Sequence, residues 1–96
     1  MKLQQIHIKI SGRVQGVGFR QNAFFQAKKL GVFGWVRNTF DGEVEILAEG
    51  DSQSIKFFLE WCHEGPPHAV VSEVQILRSV EIAELAMKQF SIESTV

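Results

Sequence analysis

A chain of 96 residues suits one folding unit, since a chain of that size buries roughly 65% of its unfolded surface, enough for a two-layer core but not for a second domain. Ten Lys and Arg against eleven Asp and Glu leave a net charge of −1, which excludes a global field drawing the chain to nucleic acid or an anionic membrane, so any attraction for an anion is local. The lone cysteine, Cys62, excludes an internal disulfide and a multi-cysteine metal site, while the polar start and the lack of any long apolar run point to a soluble cytoplasmic protein with no membrane segment.

Ile6, Ile8 and Ile10 alternate with His7 and Lys9, the period of a strand with one buried face, so His7 reads as a solvated strand histidine. The next stretch, Ser11-Gly12-Arg13-Val14-Gln15-Gly16-Val17-Gly18-Phe19-Arg20, joins that strand to a helical pattern and holds three glycines in seven residues. Glycines at a strand-to-helix turn let successive N–H groups converge on one point, the helix adds its positive end, and Arg20 offers a planar fork for two phosphate oxygens. The spacing fits neither G-x-x-x-x-G-K-[ST] nor G-x-G-x-x-G. On these residues alone, an anion site and a plain turn stand level.

Ala23, Phe24, Ala27 and Leu30 recur at helical spacing, which predicts a helix from about Arg20 to Leu30, with Lys28 and Lys29 complementing its dipole and Gly31 closing it. Val32 to Phe40 and Glu43 to Ala48 read as two strands, with Asp41-Gly42 as a hairpin signal between them. Alternation places Asn38 on the same face as Val36, and a buried amide there must find partners. Trp35, Phe33 and Phe40 raise the idea of a base-stacking sheet, but the K/R-G-F/Y-G/A-F-V-x-F/Y pattern is absent; Trp35 and Phe33 read instead as covering a helix or one another.

Asp51 or Ser52 can cap a second helix whose buried stripe is Ile55, Phe58, Leu59 and Cys62, with Phe57 and Trp61 as a flanking pair. On that stripe Cys62 is core filler, not a nucleophile. Gly65-Pro66-Pro67 stops the helix, and His63 and His68 around the stop match no metal-ligand spacing. Val70, Ser72, Val74 and Ile76 predict a fourth strand, and Phe90 with Ile92 a short last one, while Val80 to Lys88 fits a helical turn or an irregular loop equally. The order β-α-β-β-α-β defines an α+β fold: a ferredoxin-like sandwich with an antiparallel sheet of four to five strands and two helices on one face.

Gly12 to Arg20 resembles the signature of the acylphosphatase family. A second family motif follows at Gly34-Trp35-Val36-Arg37-Asn38-Thr39-Phe40-Asp41-Gly42-Glu43-Val44, and Glu49-Gly50, Phe58 to Trp61 and Gly65-Pro66 fall where the family has them. The likeness is close over residues 5 to 78 and looser beyond, where Phe90-Ser91-Ile92-Glu93-Ser94 is less basic than the family's ending. The resemblance implies the same fold, taken as one unit over residues 1 to 96. It also implies metal-independent hydrolysis of an acyl phosphate to a carboxylate and inorganic phosphate, with no cofactor.

By position in the motifs, Arg20 is expected to bind the phosphoryl oxygens together with backbone N–H groups of Gln15, Gly16, Val17, Gly18 and Phe19, and Asn38 to hold the attacking water. Arg13 and Arg37 stay outside the catalytic set. So spare a site suits the chemistry, because a carboxylate leaves without protonation and positioning with charge stabilisation suffices. The expected partners are the acyl phosphate and inorganic phosphate only, with no nucleic acid and no membrane, and the chain is expected to be a monomer. The alternative is a non-catalytic ferredoxin-like module that binds phosphate or an acyl phosphate, or serves as an interaction domain.

Overall fold

The computed structural model describes residues 2–96. Its elements run β1 (Leu3–Arg13), α1 (Phe19–Leu30), β2 (Phe33–Asn38), β3 (Val44–Asp51), α2 (Ser52–Glu64), β4 (Val70–Ile82) and β5 (Phe90–Ile92). They form one five-stranded sheet in the order β4-β1-β3-β2-β5. Strict alternation decides which face the helices cover. Ile6, Ile8 and Ile10 of β1, Val44, Ile46 and Ala48 of β3 and Val36 of β2 are buried, and they share the core with Ala23 and Ala27 of α1 and Ile55, Phe58 and Cys62 of α2. Burial pushes the Cys62 thiol far above the ordinary cysteine range, so it stays a protonated packing group, as its place on the helical stripe predicts.

The sheet is mixed, not wholly antiparallel. β1 pairs antiparallel with β3 and β4, and β2 with β3, but β5 runs parallel to β2. The reason is the crossover. β4 lies at one edge and ends level with the start of β1, and the chain then travels to the opposite edge at that same end of the sheet. A strand entering there must run opposite to β4 and hence along β2. The segment left open by the sequence is therefore split: Val80 to Ile82 extend β4, and residues 83–89 form the crossover without regular structure.

The strand-to-strand turn differs in detail from a two-residue Asp-Gly hairpin. β2 stops at Asn38 and β3 begins at Val44, so five residues make the connection. It is closed by Thr39 N–H donating to Glu43 O (2.9 Å) and by the Thr39 hydroxyl donating to Asp41. Gly50 lies inside β3, which runs on to Asp51. Asp51 takes the N-cap position of α2 but makes no side-chain capping bond. Trp61 packs on Phe19 and Phe58, at 5.2 and 6.3 Å between ring centres, while Phe57 is exposed.

The face of the sheet away from the helices is polar and tightly paired. Arg37 Nε donates to Glu45 Oε1 at 2.9 Å, and His7 Nε2 lies 2.6 Å from Glu45 Oε2. The Arg37 guanidinium sits 4.4 Å above the Trp35 ring, whose other neighbour is the edge of His7. Trp35 thus does not cover a helix; it stacks on Arg37 beside His7 on the open face. His7 does point away from the core, but it is engaged by Glu45 rather than simply solvated.

Candidate active site

The site stands at the end of the sheet where β1 and β2 both finish. Register brings the two ends together: Asn38 pairs with Val44, and Val44 pairs with Ile10. With strands about 4.8 Å apart, Asn38 therefore stands about two strand spacings from β1, level with the approach to the β1–α1 loop. That loop is fixed at both ends by buried apolar side chains, Val14 and Phe19. Gly16 (φ 74°) and Gly18 (φ 78°) take the left-handed conformation, which strains any residue carrying a Cβ.

Gly18 is the N-cap of α1 and provides no side-chain acceptor, and the first turn contains no acidic residue. The orphan N–H groups of that turn and the positive end of the helix are thus left for an outside anion. The loop is also tied across the site. The Gln15 side-chain amide donates to Thr39 O at 2.7 Å and to Glu43 O at 2.8 Å, so the cradle is clamped to the turn that follows Asn38. Asn22 Nδ2 donates to Gly18 O at 2.8 Å and steadies the helix start.

Between the loop and β2 lies a cavity of about 240 Å³. Gly16, Gly18, Phe19 and Arg20 line one side, and Asn38 and Ile92 line the other, with Val14 and Gln21 completing the wall. Asn38 is 9% exposed and its Oδ1 is buried without a hydrogen-bond partner. Such an oxygen is costly unless something occupies the cavity and donates to it. Among the described residues the ion pairs join Lys9 to Asp41 and Glu43, and Glu45 to His7 and Arg37; none involves Arg20. The Glu43 carboxylate, by its hydrogen bond, and then Asp41 hold the Lys9 ammonium above its ordinary range.

Of the residues singled out in the sequence, Gly16, Gly18, Phe19, Arg20 and Asn38 therefore meet at one cavity. The side chains of Gln15 and Val17 are turned elsewhere: that of Gln15 is the clamp, and that of Val17 packs against the core. Arg13 is exposed and Arg37 faces the other side of the sheet, so neither reaches the cavity. His63 and His68 are exposed, and no group of three or more His, Cys, Asp or Glu able to hold a metal ion occurs among the described residues. Sequence reasoning missed Val14, Gln21 and Ile92 on the wall. The only signal for Ile92 was its alternation with Phe90 in a short last strand.

Fold and site together define a class: a ferredoxin-like α+β protein with a pocket between a strand-to-helix turn and a facing buried amide. The acylphosphatase family model matches residues 6–92. An acylphosphatase of Thermococcus kodakarensis is 50% identical over 76 residues, which cover 79% of this chain and 84% of the relative. The solved structure of an acylphosphatase from Coxiella burnetii superposes with a TM-score of 0.84 at 39% identity, covering 96% of this chain and 94% of that one. The crystal structure of full-length HypF in its phosphate- and nucleotide-bound form also matches, with a TM-score of 0.84 and 36% identity over 99% of this chain, but only 12% of that much longer chain. The chain belongs to the acylphosphatase family, and with it to the hydrolases.

Proposed function

We propose that the phosphoryl group of an acyl phosphate sits in the β1–α1 loop, held by backbone N–H groups of Gln15 to Phe19 and by Arg20, while Asn38 orients the water that attacks it. The observation that carries this reading is the unpartnered, buried Asn38 Oδ1, which lines the same cavity as Arg20 and the loop glycines. A water donating one proton to that oxygen is fixed opposite the cradle. Its own oxygen is then free to approach phosphorus in line with the leaving group.

In the step, a bond forms between the water oxygen and phosphorus, and the bond from phosphorus to the bridging oxygen breaks. The electron pair leaves with the carboxylate, and the water's protons finish on phosphate oxygens and in solvent. The leaving group needs no proton, so no general acid has to be found in the site. Fixed amides and a guanidinium meet charge spread over the equatorial oxygens without reorganising, which is the main catalytic contribution open to so small a site.

The substrate class is the acyl phosphates, the product besides phosphate is a carboxylate, and neither metal nor cofactor takes part. The unit that does this is taken as residues 1 to 96 acting as a monomer in the cytoplasm, without nucleic acid or membrane. No helix among the described residues is long and apolar enough to cross a membrane.

The test is hydrolysis of benzoyl phosphate with chelator present, for the wild type, Arg20→Ala and Asn38→Ala, beside competitive inhibition by inorganic phosphate. Arg20→Ala should lose turnover and phosphate binding together. Asn38→Ala should keep phosphate binding and lose turnover. Unchanged phosphate affinity in Arg20→Ala would sink the cradle assignment.

A further inference from the structure

The cavity is larger than its phosphoryl end. One water takes about 30 Å³ in the liquid, so a phosphoryl group and the attacking water leave part of the roughly 240 Å³ for the acyl side of the substrate. The wall beyond the loop and Asn38 carries the apolar Ile92 as well as the uncharged Gln21. Ile92 pairs with Val36 in the parallel ladder, so it shares the helix-covered face with Asn38, which lies two residues farther along β2 and about 7 Å along the sheet. Ile92 is 41% exposed, so its side chain forms an apolar rim that a substrate can cover.

Charge is arranged to the same end. Among the described residues Arg20 is the only charged one on the cavity wall, and the phosphoryl group engages it. The nearest acidic neighbour along the chain, Glu93, is turned to the opposite face with Ser91, whose hydroxyl donates to it at 2.6 Å. A second carboxylate on the substrate would thus be stripped of water against Ile92 with no cation to meet it, at considerable cost. An aromatic or branched apolar group would cover the rim and gain from it.

Resting on the phosphoryl assignment above, we propose that Ile92 is the specificity-determining residue of this site and that it selects uncharged, apolar acyl groups over dicarboxylic ones. The experiment compares kcat/KM for benzoyl phosphate and succinyl phosphate in the wild type, Ile92→Ala and Ile92→Lys, with the inhibition constant of inorganic phosphate measured alongside. The wild type should favour benzoyl phosphate. Removing the rim in Ile92→Ala should raise KM for benzoyl phosphate about tenfold, the low end of what small apolar contacts discriminate, with succinyl phosphate and inorganic phosphate unaffected. Ile92→Lys should shift the ratio toward succinyl phosphate by at least about tenfold on the same scale. Should that variant fold poorly, Gln21→Lys places the cation from an exposed position on α1 and should shift the ratio in the same sense. A benzoyl-to-succinyl ratio that is the same in all these proteins, while phosphate still inhibits competitively, overturns the role of Ile92 and leaves the cradle standing. Phosphate that fails to compete, or competes equally well in Arg20→Ala, overturns the cradle and the acyl assignment with it.

Discussion

Two buried polar side chains, Asn38 and Glu49, lie in neighbouring strands of one sheet and are treated in opposite ways. Glu49 is fully buried on the open face, and its carboxylate is satisfied: Ala86 N and Met87 N donate to Oε2 at 2.5 and 2.8 Å, and Gln5 Nε2 donates to Oε1 at 2.9 Å. Asn38, on the covered face, keeps an oxygen with no partner. Three N–H groups turned toward one carboxylate, two of them from the crossover backbone, fasten that crossover to the sheet. The orphan oxygen instead faces the cavity beside the β1–α1 loop. In this molecule the completed polar network ties down the crossover and the incomplete one lines the cavity.

The contrast is broken most severely at the incomplete end. Arg20→Ala and Asn38→Ala should each lower kcat/KM by about 10²- to 10³-fold, the usual cost of one fixed transition-state donor or positioning group. Yet Asn38→Ala should leave the midpoint of urea unfolding unchanged or slightly raised, because it deletes an unsatisfied buried oxygen. A large loss of stability in Asn38→Ala would mean that the amide serves the fold instead.

Glu49→Ala should behave in the opposite sense. It strands two crossover N–H groups and the Gln5 amide, and at about 1–3 kcal/mol for each buried donor left unpaired, less what solvent recovers, the loss should be about 3 kcal/mol. The urea midpoint reads it directly. Turnover per folded molecule should fall far less than in Asn38→Ala. Glu49→Gln keeps an acceptor for the crossover and should recover part of the loss.

Gln15 lies between these extremes, since its amide joins the cradle to the Asn38 turn without entering the cavity. Gln15→Ala should cost about 1–2 kcal/mol for two modest hydrogen bonds. A loosened cradle should also raise the inhibition constant of inorganic phosphate by less than Arg20→Ala does. An unaltered phosphate affinity would assign the clamp to stability alone.

Much of this was legible in short-range pattern. Alternation in Ile6-Ile8-Ile10 and in Val44-Ile46-Ala48 reports which face is buried, because the period of two is a property of the strand itself. The same rule sends Asn38 inward with Val36. The glycine-rich turn and Arg20 were visible because a left-handed backbone and a charged fork are local requirements. Glu49 was not visible: it alternates with Glu45 on the polar side, and its partners come from residues 86 and 87, across the crossover. Leu47, between those two glutamates, lies on the same face. The parallel pairing of β5 was likewise beyond local reading, since it follows from where a long connection crosses the sheet. Trp35 misled because an aromatic in a strand says nothing of whether its partner is a helix or a guanidinium.

The smallest effect expected concerns a third kind of polar group, complete like Glu49 but paired with charges. Burial works to raise the Glu45 carboxyl, but hydrogen bonds from His7 and Arg37, with the added charge of Arg37, outweigh it and hold the group below its ordinary value of 4.5. As pH falls, the unfolded chain therefore takes up this proton before the folded one does. The stability Glu45 confers is complete above 4.5 and drains away as pH drops through the depressed folded value. Glu45→Gln cannot titrate, so its unfolding midpoint should be lower than wild type at neutral pH and should lose less on going down through the carboxylate range. Urea melts at neutral and strongly acidic pH, run on both proteins, give the comparison. Parallel loss in the two proteins would mean that the pair on the open face contributes nothing that protonation can remove, and that acid acts on the fold elsewhere.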